Sequence, residues 1–266
     1  MSFPRLSNTL LLLFTSTICI FLSTPLLGQK AKKDLILLIG QSNMAGRGQL
    51  DTQSSTTDSQ IWMIDSNNVW IPAKDPVHFD KPSAVGVGPG LSFAQAVVET
   101  QKNRNIGLIP CAVGGSGIDD WKSGARHSQT GIYAYDAMVA RVKTAKKEGK
   151  LKAILWHQGE QDSKEENAAV YEEKLIQFFR QLRKDTGAKK TPIILATLGD
   201  FYADKNPVAN RINKIITELP GKLQNVYYVS SAGLGHKGDE VHFSTAAQRA
   251  LGKRYAEKYL EIIINR

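Results

Sequence analysis

A serine at the end of a strongly apolar segment is the first residue of this chain that could do chemistry. In LILLIGQSNMAG (35–46), the apolar run stops at Gly40 and is followed by Gln41, Ser42 and Asn43. Ser42 could cap a helix, because serine oxygens accept hydrogen bonds from the unpaired amides of a first turn. It could also be a nucleophile displayed at the edge of a sheet, and a serine in that role needs a base.

The best candidate base is His242, one of five histidines, in the segment GDEVHFSTAAQ. Asp239 lies three residues earlier, and in a turn this spacing can bring its carboxylate against one imidazole nitrogen. The other nitrogen would then take the serine proton. The spacing alone is weak evidence for catalysis, because a capping aspartate or chance on a surface explains it more often. Combined with a serine that follows a strand, it predicts a triad of Ser42, His242 and Asp239.

Acyl transfer by a serine also requires hydrogen-bond donors for the oxyanion that develops. The predicted donors are the backbone amide of Ser42, an amide of Gly114 or Gly115 in VGGSG, and the side chain of Gln158 in WHQGEQD. Glycine lacks a Cβ, so backbone can approach a ligand closely there. A tight turn explains the glycine pair as well, and a satisfied loop amide explains Gln158. His157 is interpreted as a core histidine with a satisfied ring nitrogen.

The elements that must position these residues alternate between short apolar segments and longer amphipathic ones. The predicted strands are 35–40, 61–65, 106–113, 152–158, 192–199 and 225–230. The predicted helices are 91–103, 134–149, 167–186, 207–218 and 246–263. Thr245 with Gln248 matches a capping box at the start of the last helix. Short apolar strands separated by helices predict a mainly parallel sheet covered on both faces. Ligands of such sheets gather beyond the carboxyl ends of the strands, where Ser42, the 114–115 glycine pair and Gln158 would lie.

Residues 1–28 have the pattern of an export signal, with Arg5 at the start, an uncharged apolar stretch, and the charged segment KAKKD after it. An uncleaved membrane anchor is the alternative, because the apolar stretch is near the length that spans a bilayer. We therefore predict a signal peptide, a single domain over 29–266, and a secreted or periplasmic protein without stable membrane association after cleavage. Cys111 would then be the only cysteine, so no intrachain disulfide could form.

Charge and motifs argue against several other classes of protein. The formal net charge is +9 over 266 residues, but lysines and arginines are dispersed and form no basic stripe with aromatics. Nucleic-acid binding is therefore not predicted. The letters around Ser42 lack the second glycine of G-x-S-x-G. GVGPG (86–90) follows no clear strand and lacks the third glycine of a dinucleotide loop. No zinc-binding spacing such as H-E-x-x-H occurs, so we predict neither a metal nor a cofactor.

Five segments, taken in order, resemble the sialate O-acetylesterase and acetylxylan esterase group of the SGNH hydrolase superfamily. They are GQSNMAGRG, GVGPGLSFA, PCAVGGSGIDDW, WHQGEQD and DEVHFS. The similarity covers most of residues 34–257. It implies a three-layer α/β/α, flavodoxin-like fold and the hydrolysis of O-acetyl esters on carbohydrates.

By position, the resemblance implies that Ser42 is the nucleophile, His242 the base and Asp239 its orienting acid. It also implies that one glycine of the 114–115 pair and Gln158 are oxyanion-hole donors. A glutamine at this place is similar to the carbohydrate-esterase branch, whereas many SGNH enzymes have an asparagine.

Five further residues are predicted to bind substrate or support the site. Glu160 matches a residue sometimes assigned to the active site, and its predicted role is a supporting one. Asn43 is predicted to order the loop after the serine. Gln41 is predicted to bind substrate or support the site in the same way as the other four residues. Arg47 in GRG and Trp121 in GIDDW are candidates for contact with a sugar or its carboxylate. A solvated surface position for Arg47 and core packing for Trp121 are the alternatives.

The sequence therefore predicts a metal-independent serine esterase that removes O-acetyl groups from carbohydrates, such as acetylated polysaccharides or sialic acid-type glycans, through an acetyl-enzyme. One alternative is a non-catalytic carbohydrate-binding protein that retains the fold, and the presence of all the proposed catalytic residues argues against it. The other is an SGNH esterase or lipase acting on other short-chain esters. Polar, glycine-rich loops at 47–60 and 116–132 argue against the apolar acyl slot that such an enzyme would need.

Overall fold

The computed structural model describes residues 1–3 and 32–265. Residues Met1–Lys30 are separate from the unit Ala31–Arg266. The predicted signal peptide lies outside the described residues except for its first three, and it stays a prediction. In the described part of the chain, no helix is long and apolar enough to cross a membrane. The fold and the site below belong to the second unit.

One seven-stranded sheet forms the centre of this unit. Its strands are β1 (Lys33–Gly40), β2 (Ile61–Ile64), β3 (Trp70–Pro72), β4 (Ile106–Pro110), β5 (Gly149–His157), β6 (Ile193–Ala196) and β7 (Val226–Val229). Their order is β3-β2-β4-β1-β5-β6-β7, and every neighbouring pair is parallel except β2 with β3. With the β2–β3 pair set aside as an edge addition, the other five strands have the 2-1-3-4-5 order of flavodoxin-like sheets.

Helices cover both faces of the sheet. They are α1 (Ser42–Ala45), α2 (Pro89–Thr100), α3 (Ala134–Ala145), α4 (Glu165–Thr186), α5 (Asp200–Ala203), α6 (Pro207–Glu218) and α7 (Thr245–Ile264). Because side chains of a strand alternate between faces, β1 contributes to two cores. Leu35, Leu37 and Ile39 pack with residues of α3, α4 and α6, while Ile36 and Leu38 pack with residues of α2 and α7. The predicted three-layer α/β/α architecture is confirmed.

The predicted strands and helices all exist, but several have different ends. The strand predicted at 106–113 ends at Pro110, and the one predicted at 192–199 ends at Ala196. Strand β3 was not predicted, because three partly exposed residues at a sheet edge carry no buried apolar run. The short helices α1 and α5 were also missed, since four residues are too few for a helical period.

The predicted capping box of the last helix is wrong by one residue. Ser244 is the N-cap of α7, and its hydroxyl accepts a hydrogen bond from the N–H of Ala247. Thr245 is already helical, and its hydroxyl donates to the carbonyl of Gln49 at 2.7 Å. Gln248 is fully buried and does not reach back to the cap. Two capping residue types in a row made the start ambiguous.

Candidate active site

A close approach of β1 to β5 creates the turn that carries the serine. Gly40 has φ +132°, and a Cβ added there would lie 2.0 Å from the carbonyl oxygen of His157. Only glycine therefore allows the two strand ends to come this close. The N–H of Gln41 then donates to that same carbonyl at 2.9 Å, and Ser42 begins α1. Ser42 therefore lies just beyond the carboxyl end of β1, at the edge of the sheet.

Ser42, His242 and Asp239 lie in hydrogen-bond contact. The Ser42 Oγ is 3.0 Å from His242 Nε2, and His242 Nδ1 is 2.7 Å from Asp239 Oδ2. Asp239 Oδ1 accepts hydrogen bonds from the N–H groups of His242 and Val241. With a neutral imidazole, Nδ1–H donates to the carboxylate and Nε2 accepts from the serine hydroxyl. The structure thus places the predicted base between the predicted nucleophile and the predicted orienting acid.

The environment favours a neutral imidazole and an ionised carboxylate. Burial lowers the pKa of His242, and the hydrogen bond and charge of Asp239 offset part of that change. Burial opposes ionisation of Asp239, but the donors from His242 and Val241 outweigh it and hold the pKa of this carboxyl well below its usual range. A neutral histidine is the form that can accept the serine proton.

Asn43 ties the segment that carries His242 to the serine turn. Its Nδ2 donates to Val241 O at 3.0 Å, and its Oδ1 accepts from the N–H of Phe243 at 3.1 Å. One side chain therefore holds the peptide groups on both sides of His242. The same Nδ2 donates to Glu160 Oε1 at 2.6 Å, so the loop after β5 joins this network.

Glu160 is a buried carboxyl beside the predicted triad. Burial raises its pKa to about 7, although the hydrogen bond from Asn43 acts in the opposite direction. His157 Nε2 lies 4.0 Å from Glu160 Oε1, and burial lowers the pKa of His157 to about 3. His157 is buried in the core as predicted, but within the described residues neither of its ring nitrogens has a hydrogen-bond partner, so the predicted satisfied nitrogen is not found. Asn43 thus links Glu160 to the segment that carries His242, and the supporting role of Glu160 stays a prediction.

The backbone amides next to the serine differ in whether they are free. The N–H of Gly114 donates to Asp80 Oδ2 at 2.7 Å. In the described part of the chain, the N–H groups of Ser42 and Gly115 have no protein acceptor. Ser42 is the first residue of a helix, where N–H groups are normally unpaired. Of the predicted glycine pair, Gly115 is therefore the one whose amide can donate to a ligand.

Gln158 does not reach the pocket, in contrast to its predicted role as an oxyanion donor. Its side chain is fully buried, and Nε2 donates to Gln41 Oε1, Ser116 O and Asp162 Oδ2 at 3.1, 3.2 and 2.6 Å. Its Oε1 accepts from the Tyr171 hydroxyl at 2.9 Å. An amide has two N–H groups, and these acceptors use both. Gln158 instead braces three loops from beneath.

Gln41 completes this brace. Its Oε1 accepts from Gln158, and the N–H groups of Gly159 and Gln161 also donate to it at 3.3 Å. Asp162 extends the brace to the glycine loop by accepting from the N–H of Ile118 at 2.8 Å. The serine turn, the loop after β5 and the loop after β4 are thus held together by buried polar contacts.

Arg47 is neither solvated nor free. Its Nη2 lies 3.1 Å from Asp80 Oδ2 and its Nη1 donates to Gly46 O at 2.7 Å. Both charged side chains are almost fully buried, at 5% and 2% exposure. Asp80 was not identified from the sequence, because it lies in an irregular loop that carries no periodicity and no motif.

Trp121 packs in the core and does not line the site, so the alternative interpretation holds. It is 1% exposed, and its ring lies 5.4 Å from that of Trp156 and 5.6 Å from that of Phe178. Its Nε1 donates to the Ser116 hydroxyl at 3.1 Å, which helps to position the loop after β4. Its contact with substrate is excluded by this burial.

An open cavity of about 420 Å³ lies over the serine. Ser42, His242, Arg47, Gly115 and Glu160 line it, and so do five residues that sequence reasoning missed, namely Lys81, Ala84, Gln161, Tyr202 and Val241. Its size is in the range of small-molecule sites. Across residues 1–3 and 32–265, no group of three or more His, Cys, Asp or Glu side chains is arranged to hold a metal ion.

Comparison with known proteins agrees with this architecture. The model of a carbohydrate esterase family, described as sialic acid-specific acetylesterase, matches residues 32–261. A relative from Arabidopsis thaliana, named "Probable carbohydrate esterase", is 34% identical over 248 residues, which cover 85% of this chain and 90% of that protein. An X-ray structure of an Arabidopsis thaliana protein is 31% identical, with a TM-score of 0.77 over 86% of this chain and 98% of that one.

Two more distant structures share the fold. NanS is 18% identical, with a TM-score of 0.71 over 88% of this chain and 99% of its own. A carbohydrate acetylesterase from Xanthomonas citri is 20% identical, with a TM-score of 0.65 over 84% of this chain and 55% of its own. Because the family match spans most of the chain and the Arabidopsis relative is more than 30% identical, this chain belongs to the family of carbohydrate esterases described as sialic acid-specific acetylesterases.

Proposed function

We propose that this protein is a serine esterase that removes O-acetyl groups from carbohydrates through an acetyl-enzyme intermediate. The observation that carries the proposal is the hydrogen-bonded series Ser42 Oγ–His242 Nε2 at 3.0 Å and His242 Nδ1–Asp239 Oδ2 at 2.7 Å. This series lies at the carboxyl edge of a parallel sheet, where ligands of such folds bind. Membership of a carbohydrate esterase family supports a sugar ester as the substrate.

In the first half of the proposed reaction, His242 Nε2 takes the hydroxyl proton as Ser42 Oγ attacks the acetyl carbonyl carbon. The N–H groups of Ser42 and Gly115 donate to the oxyanion that forms. Asp239 keeps the imidazole in the required tautomer and stabilises the imidazolium. His242 then gives its proton to the sugar oxygen, the ester bond breaks, and the acetyl group stays on Ser42.

Water completes the cycle. His242 removes a proton from a water molecule, which attacks the acetyl group on Ser42. A second oxyanion forms at the same two amides and collapses to acetate, and His242 returns the proton to Ser42 Oγ. The reaction consumes one ester and one water and yields one sugar hydroxyl and one acetic acid.

The direct test is Ser42→Ala assayed on an aryl acetate and on a panel of acetylated polysaccharides and sugars. We expect acetate release to fall by at least about 1,000-fold, because loss of a triad member leaves only the contribution of the oxyanion donors and binding. Ser55→Ala is the matched control, since Ser55 is an exposed serine that donates only to the carbonyl of Thr52. Wild-type turnover in Ser42→Ala would overturn the assignment. The same panel identifies the acetylated glycan.

We also propose that residues 1–28 direct export and are then removed. An apolar stretch that follows Arg5 and precedes a charged segment supports this. N-terminal sequencing of the protein recovered outside the cytoplasm would test it. An intact N-terminus on membrane-bound protein would instead indicate an anchor.

A further inference from the structure

Arg47 lines the cavity on the side of the glycine loop and forms a buried ion pair with Asp80. Asp80 Oδ2 accepts from Arg47 Nη2 at 3.1 Å and from the N–H of Gly114 at 2.7 Å. Arg47 Nη1 in turn holds Gly46 O, which directly follows the helix that begins with Ser42. The pair therefore joins the serine turn to the loop that carries Gly115.

Gly114 packs flat against this pair. A Cβ added at Gly114 would lie 2.2 Å from Arg47 Nη2 and 3.0 Å from Asp80 Oδ2. Arg47 and Gly114 both line the cavity that contains Ser42 and His242. Because Asp80 uses the N–H of Gly114, the next amide, that of Gly115, is the one left without a protein acceptor among the described residues.

The charge of this wall matters because the proposed reaction produces acetate. An unpaired guanidinium binds a carboxylate strongly, often through two parallel hydrogen bonds. An arginine in the acyl cavity would therefore retain the product unless its charge were cancelled. Asp80 lies within ion-pair distance of Arg47 and is almost fully buried, so its negative charge offsets that of the guanidinium.

Stability alone does not account for such a pair. Taking two charges out of water costs about as much as their attraction returns, and well-packed apolar residues are often as stable. Lys81 is a second cationic residue that lines the cavity, and its ammonium makes an exposed hydrogen bond to Gln129. Every variant described below keeps Lys81, so differences in acetate binding between the variants do not come from it. The position of the pair beside the cavity points instead to a role in the site.

We propose that Asp80 is a positioning residue of the esterase site with two roles, which rest on the function proposed above. It holds the Gly114 peptide so that the Gly115 N–H is free for the oxyanion, and it neutralises Arg47 so that acetate leaves. The first role concerns the chemical step, and the second concerns product release.

Acetate binding measured by calorimetry separates this inference from the proposed function, because it needs no turnover. In Asp80→Asn, the amide still accepts from Gly114 but no longer cancels Arg47, so acetate should bind about 10- to 100-fold more tightly than to the wild type. Asp80→Ala should show the same tighter binding and a kcat at least about 10-fold lower, with KM changed less than threefold. Glu261→Gln removes the same charge from an exposed pair with Lys258 and should change neither quantity.

The double variant Arg47→Gln/Asp80→Asn keeps the test decisive if a single variant unfolds, because it leaves no unpaired charge. Its affinity for acetate should lie within about twofold of the wild-type value. Equal acetate affinity in wild type and Asp80→Asn, tight acetate binding by the double variant, or an unchanged kcat in Asp80→Ala would overturn the inference. Absence of esterase activity in the wild type would overturn the proposed function and leave the acetate measurements to decide the charge role.

Discussion

Replacing Asn43 by alanine should disable the site by releasing His242 while leaving Ser42, His242 and Asp239 chemically intact. The change removes three hydrogen bonds, to Glu160 Oε1 at 2.6 Å, to Val241 O at 3.0 Å and from the N–H of Phe243 at 3.1 Å. The segment on both sides of His242 then loses its attachment to the serine turn.

The cost in stability follows from the groups left without partners. A buried donor or acceptor left unsatisfied costs about 1–3 kcal/mol. Two such groups, the N–H of Phe243 and the Glu160 carboxyl oxygen, give a total of about 2–6 kcal/mol. For a domain of this size, each kcal/mol lowers Tm by about 2–4 °C. A displacement of His242 by about 1 Å is enough to lower kcat about 100-fold.

Thermal unfolding and aryl acetate hydrolysis measure the two effects separately. Asn213→Ala is the matched control, because Asn213 holds both the N–H and the carbonyl of Leu198 in the same manner without touching His242. We expect both variants to lose stability and only Asn43→Ala to lose kcat, with KM nearly unchanged. If the two variants kept equal kcat, the idea that Asn43 positions the base would be refuted.

Three further outcomes test the electrostatics and the backbone of the site. Burial raises the pKa of Glu160 from 4.5 to about 7, so its stabilising contribution is complete below pH 4.5 and is lost as the pH rises through 7. That shift corresponds to about 3 kcal/mol. Glu160→Gln should therefore show a smaller fall in Tm between pH 5 and pH 8 than the wild type. Equal falls in Tm would contradict the raised pKa of Glu160. Since burial lowers the pKa of His242 and the base must be neutral, kcat/KM should fall on acidification with a midpoint below about 6.5; a midpoint at or above 7 would argue against His242 as the base. Gly40→Ala places a Cβ against fixed backbone and should lower Tm by more than about 10 °C. Gly221→Ala is the control, because a Cβ there meets nothing within 4 Å and Tm should not change. A Gly40→Ala protein with the wild-type Tm would contradict the close approach of β1 to β5.

The sheet and the convergence of its polar strand ends were predictable because both follow from short-range patterns. Near-continuous apolar runs such as LILLIG reflect a strand buried on both faces, and parallel strands must present their carboxyl ends at one edge. That rule is enough to place Ser42 near the loop after β5. The Asp239–His242 spacing added the base.

The direction of individual side chains was not predictable in the same way. Gln158 and Glu160 are two residues apart after β5, yet only Glu160 lines the cavity, while Gln158 is fully buried. The irregular backbone of this loop, with φ +150° at Gly159, decides which of them does so. Asp80 was missed because its role depends on contacts 33 and 34 residues away and on no local pattern.

The distance along the chain between Ser42 and His242, 200 residues, has a consequence for how activity is acquired. All seven strands are present once Val229 has been added, but the imidazole belongs to a segment that comes after them. A polypeptide stopped between Val229 and Asp239 would carry every strand and still lack a proton acceptor for its serine. Regained ester hydrolysis therefore reports that the segment carrying His242 has docked against the serine turn, which a spectroscopic signal from the strands alone does not show.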